Sequence, residues 1–182
     1  MRIIFLSSNE HKIAEVQAIL SSPEIEVQNV SFKIDEIQSD NMTKIAEDKA
    51  LKAFKQIGRP ILVEQTGLLL KDFRGLPGGL TQVFWDALEA DDFCGYFSKT
   101  ETGKVVARTI LAYCDGKKVM TFEGEIEGVI VEKPRGNRAF QWDCVFQPNG
   151  YEQTFAEMGD KKNDISMRKL ALAKLREYLE GE

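Results

Sequence analysis

The sequence predicts an α/β (α+β) fold on an elongated mixed sheet flanked by helices, and three features predict it. Strand-like and helix-like periodicities alternate as far as Val63. Alternating strands around a tight turn at Asp115-Gly116 follow in the second half. No repeat, low-complexity tract or Pro/Gly/Ser linker divides the chain. Residues 1–182 therefore read as one domain, and 43% hydrophobic content is enough for a core.

Taken in order, Arg2 to Leu6 reads as a short buried strand ended by Ser7-Ser8-Asn9. Ile13, Val16 and Leu20 share a helical face that Ser21-Ser22-Pro23 stops. Glu24 to Val30 is a second strand, and the polar, acidic stretch Ile34 to Met42 is a loop. Ala46, Ala50, Ala53, Phe54 and Ile57 carry a helix over 43–57, with Gly58 at its end. Pro60 to Val63 is predicted as a buried strand that delivers Glu64 at its mouth, where α/β proteins place ligands. Arg74 to Gly79 is a glycine-rich loop, and two short helices cover 81–98. Segments 105–113 and 119–131 form the hairpin. A strand is expected over 143–146, turning at Pro148-Asn149-Gly150, and a final helix over 164–179 buries Leu172, Leu175 and Leu179.

Composition narrows the chemistry. With 24 basic and 29 acidic side chains the net charge is -5, which argues against a protein that coats a nucleic-acid polymer. No apolar run approaches the roughly 20 residues of a membrane span, and the start is too short and too soon polar for a secretory signal. A soluble cytoplasmic protein is expected. One histidine, His11, rules out clustered histidine zinc sites, and Cys94, Cys114 and Cys144 fit neither a zinc knuckle nor a disulfide framework. Carboxylates, cations, hydroxyls and a hard metal ion remain.

Four groups could supply that chemistry. Ser7 to Lys12 joins the first strand to the first helix, where free N–H groups and the helix dipole favour an anion. Asn9 as a cap and Lys12 as a surface lysine explain the same residues without a ligand. Asp35, Glu36 and Glu64 could be gathered around magnesium, which prefers oxygen ligands; a solvated loop would also account for the first two. The row Glu123, Glu125, Glu127 reads as a solvated strand face. Phe140-Gln141-Trp142-Asp143 could sandwich a heterocyclic base beside a carboxylate, or simply fill the core. Lastly, Lys161 to Arg168 opens the final helix, and Arg168 falls in line with its buried stripe. That side chain must face a cleft or find a buried partner.

With these residues in place, the chain resembles the inosine triphosphate pyrophosphatases. Ser8-Asn9-Glu10-His11-Lys12 with Glu15 is similar to the family's first nucleotide-binding signature. Asp35-Glu36-Ile37-Gln38 with Ile45 to Lys49 resembles its acidic loop and helix, and Glu64-Gln65-Thr66-Gly67-Leu68 with Gly75-Leu76-Pro77-Gly78 its central motif. Phe140 to Asp143 with Phe146 to Met158, then Lys162-Asn163 and Ser166-Met167-Arg168, match the last motifs, so the likeness spans nearly the whole chain in order.

The resemblance implies two lobes with a central nucleotide cleft, a homodimer, and Mg²⁺-assisted attack of water on the α-phosphorus of a non-canonical purine nucleoside triphosphate. The products are a nucleoside monophosphate and pyrophosphate. It implies that Ser8, Asn9, Lys12, Lys49, Thr66 and Lys162 hold the nucleotide, chiefly its phosphates. Glu36 and Glu64 would serve the metal, Phe140, Trp142 and Asp143 the base, and Arg168 the 6-oxo edge. The reacting centre would comprise Glu64, position 65 and Lys12. Departures fall in the same places: Gln65 stands where the family carries an aspartate, Gln82 where it carries a cation, Met167 for a histidine, Gln141 for a glycine and Cys144 for a proline. An amide cannot take a proton at neutral pH or neutralise Mg²⁺. Impaired hydrolysis, a silent nucleotide-binding protein and an enzyme for another nucleotide therefore stand as alternatives.

Overall fold

The computed structural model describes residues 1–181 and contains one six-stranded sheet, ordered β2-β1-β3-β4-β5-β6. Its strands are β1 (Arg2–Leu6), β2 (Glu26–Val30), β3 (Ile61–Leu70), β4 (Lys104–Cys114), β5 (Val119–Ile130) and β6 (Phe146–Pro148). The helices are α1 (Glu10–Leu20), α2 (Met42–Ile57), α3 (Thr81–Phe97), α4 (Phe155–Met158) and α5 (Met167–Glu180). β1 runs parallel to β2 and β3, and the remaining pairs are antiparallel. The mixed sheet follows from the connections: helical crossovers on one side, a tight hairpin on the other.

Apolar side chains gather in three clusters. At one end of the sheet, α1 and α5 cover one face through Val16, Leu20, Leu172 and Leu175 against Phe5, Leu62 and Leu111. There α2 covers the opposite face through Ala46, Ala50 and Ala53 against Ile4, Ile61, Val63 and Ala112. At the other end, Leu68, Leu70, Val105 and Ala107 pack with Phe93, Phe97, Phe146 and Phe155. β3 and β4 run through both lobes. Between their apolar ends lie Glu64, Gln65 and Thr66, paired in register with Leu111, Ile110 and Thr109. The seam between the lobes is therefore a polar belt across the middle of a long strand pair.

This corrects one expectation. β3 does not stop at Val63 but runs on to Leu70, a strand of ten residues in all, so Glu64 sits inside the strand rather than at its mouth. Gly67 then lets the central loop close on the strand. A Cβ there would lie 2.4 Å from the Gly78 carbonyl oxygen and 2.8 Å from Thr81 Oγ1. Thr81 Oγ1 accepts from the Leu68 N–H at 2.8 Å and donates to the Gly78 carbonyl at 2.6 Å, which locks the loop in place.

A second correction concerns 143–146. Residues 141–144 form a 3₁₀ turn, and the strand begins only at Phe146. Gln141 has φ 39°, outside the extended region, and the turn it opens is closed by Asp143 N–H to the Phe140 carbonyl at 3.2 Å. The two-helix reading of 81–98 matches α3, whose backbone breaks at Glu89. The acidic row on β5 is exposed to half-exposed and is met by cations: Arg108 pairs with Glu125 and Glu123, and Lys71 with Glu127 at 2.7 Å.

Candidate active site

The seam gathers its groups from both ends of the chain. Asn9 caps α1 by accepting from the Lys12 N–H at 3.1 Å, which turns Lys12 and Glu15 toward the sheet. Ser166 caps α5 in the same way and sets Arg168 inward. Arg168, 4% exposed, donates from Nε and Nη2 to Glu64 at 2.6 and 3.1 Å, and from Nη1 to Glu15 at 2.6 Å. Lys12 Nζ lies 2.9 Å from Glu64, Thr66 donates to the same carboxylate at 2.8 Å, and Ser166 donates to Glu15 at 3.0 Å. The expectation that a buried arginine needs a partner is met twice over.

This cluster decides protonation. Burial pushes the Glu64 carboxyl up, but Arg168 and Lys12 outweigh it and hold the group well below the usual carboxylate range. Burial opposes the Arg168 charge, and Glu64 with Glu15 outweighs it in turn, so its pKa rises. At Asp143 burial dominates and raises the carboxyl, with Lys162, its ion-pair partner, offsetting part of the shift.

Two open spaces flank the belt. One, of about 400 Å³, is lined by Ser8, Asn9, Lys12, Glu36, Lys49 and Glu64 among others. The other, of about 920 Å³, runs along α1 past His11, Phe140, Asp143, Lys162 and Arg168. A cavity of about 10 Å³ between them is walled by Thr66, Trp142, Asp143, Met167 and Arg168. The first space is cationic and polar; the second has an aromatic wall.

Most residues singled out from sequence thus meet at one seam, but not all in the expected pose. Trp142 is 4% exposed and stands edge-on to Phe146 at 5.9 Å within the core of the far lobe, so it does not form an open sandwich with Phe140. Phe140 is half-buried, with Lys162 Nζ 4.1 Å above its ring and the His11 ring edge-on at 5.8 Å. Met167 packs in the same far core. Gln82 is exposed and bonded to Asp86 and Gln141. Gln65 is half-buried; by strand alternation it faces the side opposite Glu64 and does not line the 400 Å³ space. Asp35 does not line it either, and gives its backbone carbonyl to Lys52.

Glu15, Thr109 and Ser166 belong to the cluster without having been read as site residues. Glu15 carried a signal, since an acid beside Val16 on the buried side of α1 needs a cation. Thr109, 2.9 Å from Thr66 across the strand pair, carried none.

The Ham1 family profile matches residues 3–178. This chain belongs to the Ham1 family. An inosine triphosphate pyrophosphatase of Aspergillus fumigatus is 38% identical over 183 residues, covering 99% of this chain and 95% of that one. A dITP/XTP pyrophosphatase of Methanopyrus kandleri is 34% identical over 98% of this chain and 96% of its own. Among solved structures, the Ham1 protein of Coxiella burnetii superposes with a TM-score of 0.86 at 24% identity over the full length of both chains. That of Staphylococcus aureus does so at 0.82 and 21%, covering 100% of this chain and 99% of that one. At such identities the structural likeness speaks for the fold, and the Ham1 fold is the mixed-sheet architecture described above.

Proposed function

We propose that this protein hydrolyses non-canonical purine nucleoside triphosphates, of the inosine, deoxyinosine and xanthosine type, to the monophosphate and pyrophosphate. The observation that carries the reading is the adjacency of a cationic polar space and an aromatic-walled space along one seam, in a Ham1 chain whose relatives are named for that activity. Phosphates suit the first space, where Lys12, Lys49 and the Asn9 amide supply donors. A base suits the second, beside Phe140, Asp143 and Lys162. Arg168 has five N–H donors and spends three on Glu64 and Glu15, which leaves two for a purine oxygen at the seam. Trp142 and Met167 back this wall from the core.

Magnesium belongs to the reading, and the donor chemistry fits it. Glu36 and Glu64 present hard oxygen ligands to the same 400 Å³ space. Their shares differ, because two cations already answer Glu64 while Glu36, at a half-open wall, meets one among the described residues, Lys49. Glu36 would hold the ion, which when bound would offset phosphate charge, and Glu64 would chiefly orient Lys12 and Arg168. A carboxylate held so far below its usual range is a poor proton acceptor, and Gln65 accepts none, so we expect slow hydrolysis. The same observation favours a second reading, a nucleotide-binding protein without turnover. A homodimer in the cytoplasm completes the proposal. No helix among the described residues is long and apolar enough to cross a membrane. Sedimentation velocity tests the dimer, for which Leu76 and Val83 are exposed apolar side chains.

The deciding experiment is a panel of ITP, XTP, dITP and ATP with Mg²⁺, scored for monophosphate, pyrophosphate and binding. Clean pyrophosphate release from ITP supports the hydrolase. Tight binding without products supports the silent form, and neither binding nor products refutes both.

A further inference from the structure

Three lysines and two carboxylates line the 400 Å³ polar space: Lys12, Lys33 and Lys49, with Glu36 and Glu64. Two of the lysines are already answered. Lys12 Nζ lies 2.9 Å from Glu64, and Lys49 pairs with Glu36. Among the described residues no carboxylate pairs with Lys33 and no acceptor takes a hydrogen bond from its ammonium. Lys33 is thus the lysine on this wall whose charge is unspent.

The backbone that carries it is anchored. Phe32 and Ile34, the neighbours on either side, are half-buried and pack on the apolar cluster beneath α2. Ser31, Phe32 and Ile34 line the same space, so the segment that leaves β2 runs along its rim and the lysine stem starts from a fixed place. Lys33 itself is exposed. Its ammonium can meet an anion without first giving up a carboxylate, which Lys12 and Lys49 cannot do. A phosphate chain places several negative charges in a row, and each lysine already paired offers it less net attraction than an unpaired one.

We propose that Lys33 is a further substrate-binding residue, which contacts the phosphate chain from the rim of the polar space and ties affinity to the charge of that chain. This rests on the nucleotide reading above. A bare nucleoside offers Lys33 no anion and should be indifferent to it.

The test is calorimetric binding of inosine, IMP and the α,β-methylene analogues of IDP and ITP, whose carbon bridge resists hydrolysis, in the presence of Mg²⁺. The proteins are the natural one, Lys33→Met, Lys33→Arg and Lys55→Met. Lys55 is exposed on α2 and lines neither space, so its variant corrects for the change in overall charge. Lys33→Met should bind the ITP analogue about fivefold more weakly than the natural protein, the upper worth of an exposed ion pair, and inosine equally well. The shortest ligand that loses affinity identifies the phosphate. Lys33→Arg keeps the charge and should restore most of the loss, and the loss should shrink in about 0.5 M NaCl because the contact is exposed. A loss below about twofold, or one no larger than in Lys55→Met, or an equal loss for inosine, overturns the inference and leaves the nucleotide reading standing. If the natural protein binds none of the phosphorylated ligands, that reading fails and the inference fails with it.

Discussion

Replacing Glu64 with glutamine keeps the shape of the side chain and removes its charge. In the natural protein this carboxylate takes two bonds from Arg168, one from Lys12 and one from Thr66, almost fully out of water. Removing one partner of a buried ion pair costs about 3–5 kcal/mol because the other charge is left uncompensated. Two features place this case near the lower bound. Arg168 retains Glu15 at 2.6 Å, and the Lys12 side chain is 18% exposed and can recover water. The expected loss at neutral pH is about 3 kcal/mol, equivalent to a fall in Tm of roughly 6–12 °C for a chain of this length.

The pH dependence has a definite sign. A carboxyl whose folded pKa is depressed contributes its full stabilisation above the unfolded value, and loses it as pH falls through the folded one. The gap between natural protein and Glu64→Gln should thus hold from neutral pH down to about 4 and close only in stronger acid. Urea unfolding at several pH values measures it, with the exposed Arg2–Glu26 pair as control, where Glu26→Gln should change little. A gap below about 1 kcal/mol at pH 7, or one that widens in acid, would refute the buried-network account.

Three further outcomes follow, the first two from the same geometry and the third from the resemblance at positions 65 and 82. Trp142→Ala should cost about 3–5 kcal/mol of stability, seen as a lower urea midpoint; an unchanged midpoint with weakened IMP binding would return Trp142 to an open base site. Burial pushes the Cys94 thiol up to about 12 and raises that of Cys144, so iodoacetamide at pH 8 should leave both unmodified until the protein unfolds, as read by mass spectrometry. Gln65→Asp should raise ITP turnover by about 10²–10⁴-fold if position 65 assists the attacking water. Pyrophosphate release measures this, with Gln65→Asp combined with Gln82→Lys to restore a phosphate cation; no gain in either protein while ITP still binds removes Gln65 from the reaction.

The sequence by itself determined the elements whose cause is local. β1, α1, α2 and the β4–β5 hairpin follow from periodicity, caps and a turn dipeptide that act over a few residues. Their order alone implied a mixed sheet, and the motifs alone implied the resemblance to the inosine triphosphate pyrophosphatases. Only the tertiary structure decided what happens at polar residues. Glu64-Gln65-Thr66 looks like the end of a strand, yet pairing with β4 carries β3 through it to Leu70. Asp143 and Cys144 look like part of a strand and lie in a turn, and Trp142 looks like a ligand platform and is core. The partners that decide these cases lie far along the chain: Glu64 and Arg168 are 104 residues apart, Glu15 and Arg168 are 153, and Gln82 and Gln141 are 59. An apolar side chain is satisfied by any dense surroundings, so its pattern can be read locally. A buried charge or amide needs a particular partner at hydrogen-bond distance, and only the folded chain supplies one.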